Sequence, residues 1–72
     1  MANSTTHLDT VKLNGATGKT FHIDAIENER GRCLRVVEVV NGRRNSVMIP
    51  EEDVEVVLGA LASMAEGYFL RS

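Results

Sequence analysis

Asn41-Gly42 constrains this chain more than any other dipeptide in it. An apolar run rich in valine, residues 33–40, precedes it, and a second run, residues 46–49, follows. A two-residue hairpin turn needs positive φ at both central positions, and Asn-Gly tolerates this at little steric cost. The chain is therefore expected to double back there as an antiparallel hairpin. In the first arm Leu34 and Val36 share one face, and Cys33, Arg35, Val37 and Val39 share the other. Pro50 closes the second arm because it has no backbone donor for the ladder.

The same period of two extends upstream. Phe21, Ile23 and Ala25 alternate with Thr20, His22, Asp24 and Ile26, which predicts a half-buried strand over residues 20–27. The polar turn Asn28-Glu29-Arg30-Gly31 separates it from the hairpin. Val11 and Leu13, on either side of Lys12, predict a first strand over residues 7–14, with a turn at Gly15–Gly18. Short connections in succession give an antiparallel meander. Residues 1–6 are small and polar and are expected to be frayed, leaving one unit over residues 7–72.

Residues 50–53, Pro-Glu-Glu-Asp, read as a helix start. Proline at the first helical position gives up no needed donor, and three acids match the positive end of the dipole. Val54, Val57, Leu58, Leu61, Met64, Ala65 and Tyr68 then recur at helical spacing as one apolar stripe, expected to face a core. Gly59 and Gly67 weaken this helix, and Gly67 is a candidate for its end. The expected fold class is α+β: a four-stranded antiparallel sheet followed by one C-terminal helix, ββββα, with the helix on one face and the other face open.

Seventy-two residues support one small core, so a second subunit is expected to complete it. The terminal Tyr68-Phe69-Leu70 cluster points the same way. Leu58, Leu61, Tyr68 and Phe69 are the expected contacts of a homodimer.

The formal charge of −2 does not describe a strongly basic protein. Its distribution is more informative. Residues 1–50 carry seven basic and five acidic side chains, a balance of +2; residues 51–72 carry one and five, a balance of −4. A polyanion would meet the sheet rather than the helix. Zinc is not expected, because Cys33, His7 and His22 lack ligand spacing. Ser46, His22 and Asp24 suggest no nucleophilic triad, since His22 and Asp24 sit two apart on one strand face. No glycine loop of the phosphate-cradling kind is present, and no cofactor is expected. One cysteine forms no intrachain disulfide. With no transmembrane run, signal peptide or lipidation motif, an intracellular setting, cytoplasmic or nucleoid/nuclear, is the default expectation.

The segment FHIDAIENERGRCLRVVEV resembles the core of the PUR repeat, found in the Pur-alpha family of purine-rich-element binding proteins. The repeat's aromatic, aliphatic, Asp, Asn, basic, Gly-Arg and Leu-basic-aliphatic-x-Glu positions are filled by Phe21, Ile23, Asp24, Asn28, Arg30, Gly31-Arg32, Leu34-Arg35-Val36 and Glu38. The later NSVMIPEEDVEVVLGALASM is similar to bacterial members, in which an Ile-Pro pair precedes the helix. The resemblance implies non-catalytic binding of purine-rich single-stranded DNA or RNA. It also implies an intertwined dimer of repeats, each helix on the neighbouring sheet. By position it implies nucleic-acid contacts at Lys19, Asn28 and Arg30; Arg32 and Arg35 on the third strand are added to them by the basic, open side of the sheet rather than by the resemblance. Two positions depart from the pattern. Ile26 stands where the family has lysine, and Cys33 where it has an aromatic ring. On an open face both would limit affinity, and both would be cheap to replace. A dimeric protein-interaction module of the same fold is the alternative.

Overall fold

The computed structural model describes residues 4–70. Four strands and one helix follow in order: β1 (Thr6–Asn14), β2 (Thr20–Asn28), β3 (Gly31–Val40), β4 (Arg43–Pro50) and α1 (Glu51–Tyr68). The strands form one antiparallel sheet in sequence order, β1-β2-β3-β4. The architecture is thus ββββα, an α+β fold. Of the end expected to be frayed, residues 1–3 lie outside the described residues, while Thr6 already belongs to β1.

The turns follow from local chemistry. Asn41 has φ 51° and Gly42 φ 78°, the left-handed pair that a tight hairpin requires. Gly31 has φ 126°, open to glycine alone without strain. Pro50 is the last residue of β4 and caps α1 with extended backbone, so the first helical position expected for proline belongs to Glu51. Three acids occupy the first helical turn, and both Gly59 and Gly67 are absorbed within the helix. Phe69 and Leu70 end it by donating their backbone N–H groups to the Ala65 carbonyl at 2.9 and 2.7 Å.

Register assigns every strand residue to a face, because directly paired residues project to the same side. One face carries Thr20, His22, Asp24 and Ile26 of β2 with Cys33, Arg35, Val37 and Val39 of β3. β1 adds Thr10, Lys12 and Asn14, and β4 adds Arg44, Ser46 and Met48. The opposite face is apolar at its centre: Val11, Leu13, Phe21, Ile23, Ala25, Leu34, Val36, Val47 and Ile49. A bulge between His7 and Asp9 makes Leu8 the extra residue. It reverses parity in β1, so His7 pairs with Ile26 and joins the first face.

Two expectations are corrected here. The helix does not cover the sheet within one chain. It touches only β3 and β4, none of its residues is buried, and Leu58, Leu61 and Tyr68 remain 62%, 63% and 73% exposed. A cleft of about 400 Å³ separates Val54 and Leu58 from Ala25 and Leu34 of the apolar face. Nor is the other face open at its centre. Ile26 and Val37 are buried there together with Asp24. The helix lines its cleft against Ala25 and Leu34 of the opposite side, so it is not what shields these residues. Ile26 is therefore a core residue rather than an exposed substitute for lysine.

Candidate nucleic-acid interface

The residues expected to contact nucleic acid do not converge on one surface. Asn28 ends β2 and Arg30 lies in the turn to β3, where the Asn28 side-chain oxygen accepts the Arg30 backbone N–H at 2.9 Å. This side-chain-closed turn fixes the loop that carries Arg30. A polar depression of about 290 Å³ beside it is lined by Thr5, Asn28, Glu29 and Arg30. Arg32 belongs to the apolar face, paired with Glu27 through Nε at 3.3 Å. Lys19, just before β2, reaches Glu38 on that same face at 2.8 Å. Glu38 also accepts from the Asn45 amide at 3.3 Å. The Lys19 hydrogen bond, followed by that of Asn45, holds the Glu38 carboxyl below its usual 4.5, against a smaller opposing push from burial.

Arg35 is the expected contact that projects from the other face. Its Nε donates to Asp24 Oδ2 at 2.9 Å, Nη2 forms an ion pair with the same oxygen at 2.9 Å, and Nη2 lies 3.2 Å from His7 Nε2. Asp24 is 5% exposed, and a buried carboxylate is tolerated only when paired and hydrogen-bonded. The Arg35 hydrogen bond is the chief cause that lowers the Asp24 pKa from 3.8; burial opposes it, and the Thr10 side chain assists. No buried side-chain nitrogen or oxygen among the described residues lacks a hydrogen-bond partner.

Charge is divided between the two faces. The face that holds Arg35 also carries Lys12 and Arg44, against Asp24 alone, and both histidines lie on it. The apolar face carries Arg32 and Arg43 against Asp9, Glu27 and Glu38. Reasoning from single strands missed Lys12, His22 and Arg44 as a group. Alternation within each strand was visible, but their alignment across the sheet depends on register.

Among the described residues no cluster of three or more His, Cys, Asp or Glu side chains is placed to hold a metal ion. No helix there is long and apolar enough to cross a membrane. Cys33 is a half-buried free thiol. In comparisons with known proteins, no family model matches this chain and no curated protein matches it.

Proposed function

We propose that this chain is a non-catalytic module that binds single-stranded nucleic acid as a homodimer. The observation that carries the reading is the division of the sheet into a cationic face and an apolar face. The first suits a polyanion. The second, like the stripe on α1, is only partly covered within the chain. A chain of this mass folded compactly would expose roughly 4,400 Å². This one exposes 6102 Å². Its radius of gyration is 14.3 Å, where about 11 Å is normal for 72 residues. The surplus, roughly 1,700 Å² per chain, is what an obligate homodimer buries. One apolar face and one apolar helix stripe per copy match reciprocally under two-fold symmetry.

Of the expected contacts, Asn28, Arg30 and Arg35 border or face the cationic side. Lys19 and Arg32 would take part only by leaving Glu38 and Glu27. A second reading, a dimeric protein-interaction module, is favoured by one observation: Lys19, Arg32 and Arg35 are each already paired with an acid.

Fluorescence anisotropy with purine-rich and pyrimidine-rich single strands, at low and physiological salt, separates the two. Micromolar binding that weakens steeply with salt is expected. Absence of binding at low salt leaves the interaction module.

A further inference from the structure

We propose that Lys12, His22 and Arg44 form the track on which a single strand lies, with a base stacked on the His22 ring and phosphates at Lys12 and Arg44. This rests on the single-strand-binding reading above. Lys12 of β1 is directly opposite His22 of β2. The same row continues through Val37 of β3 to Ser46 of β4, and Arg44 lies one row further, opposite Val39. All of these share the cationic face. Lys12 and Arg44 are exposed, and among the described residues neither makes an ion pair.

Their cations are therefore available, while those of Lys19, Arg32 and Arg35 are engaged by Glu38, Glu27 and Asp24. Strand spacing puts the Lys12 and Arg44 backbones roughly 16 Å apart, three strands across and one row along. That separation leaves room for a base between two phosphate contacts.

His22 is the ring suited to the intervening position. Phe21 lies on the apolar face, and Tyr68 and Phe69 are at the far end of α1. His7 is engaged by Arg35. His22 is half-buried beside Val37, which is 1% exposed, so little side-chain freedom remains to be lost on binding. A histidine ring is a usable stacking platform for an unpaired base. The track would thus supply the ring that Cys33 does not.

The test is anisotropy with a fluorescent purine-rich single strand, titrated at several salt concentrations. Lys12→Ala with Arg44→Ala should reduce low-salt affinity at least tenfold and flatten the slope of log affinity against log salt by about 1.4, two contacts at ~0.7 each. His22→Ala should reduce affinity roughly five- to hundredfold with the slope unchanged, and His22→Phe should restore it. Lys19→Ala and Arg32→Ala should change little. If His22→Ala does not fold by circular dichroism, the exposed Lys12/Arg44 pair and the ring-retaining His22→Phe decide. Wild-type binding left intact by the Lys12/Arg44 pair, or weakened more by Lys19→Ala and Arg32→Ala, overturns the track and leaves the single-strand reading standing. No wild-type binding at low salt overturns both.

Discussion

Asp24 and Arg35 show how one buried carboxylate organises the middle of a sheet. Asp24 faces Arg35 directly in the β2–β3 register, where Arg35 Nε donates to Oδ2 and Nη2 lies at ion-pair distance from the same oxygen. Because the folded pKa of Asp24 is lowered, its contribution to stability is present above the ordinary 3.8 and is lost as pH falls through the lower folded value. Asp24→Asn should therefore lower the melting temperature at pH 7. Melts at successively lower pH should narrow the gap between the two proteins, and a gap that stays as wide on acidification as at pH 7 would show that the pair does not act through the charge on Asp24. Ile26, at 3% exposure, sits in the same buried centre. Ile26→Lys would place an ammonium there without a partner and should destabilise the protein by roughly 2–4 kcal/mol in urea titration. A neutral result would mean that the side chain reaches solvent.

At the scale of elements, the two hairpins and the helix respond differently to glycine. Gly42 holds φ 78° with nothing within 4 Å of an added Cβ, so Gly42→Ala suffers backbone strain and no clash. It should cost about 1–2 kcal/mol. Gly59 is helical, and an added Cβ meets nothing there either. Gly59→Ala should raise helix stability by up to ~1 kcal/mol in an isolated chain. In a dimer whose partner approaches that position closely, the same change would weaken association instead. Light scattering at several protein concentrations distinguishes the two effects, because only the second lowers the dimer fraction at a given concentration.

For the whole molecule, the uncovered helix is the main fact. An 18-residue amphipathic helix with no buried residue has little reason to stay formed in water alone. Light scattering after size exclusion is expected to give twice the chain mass at micromolar concentration. Leu61 is 63% exposed within the chain, so Leu61→Asp would be nearly harmless in a monomer. In the proposed dimer it should both halve the mass and reduce helicity. A variant that remains dimeric and fully helical would place the interface elsewhere.

What the sequence determined by itself was local. The alternation in residues 20–40, the Asn41-Gly42 turn and the 3.6-residue repeat after Pro50 depend on neighbours within a few positions, and each produced the element expected of it. Burial and contact across the sheet are not local. Alternation divides Ile26 and Asp24 from Phe21 and Ile23, but only the assembled sheet decided that Ile26, Val37 and Asp24 are the residues buried at its centre. The bulge at Leu8 brought His7 beside Arg35, against the parity of its strand. The helix stripe was legible as apolar, yet its target was not, because periodicity states that a face needs cover and says nothing of which surface supplies it.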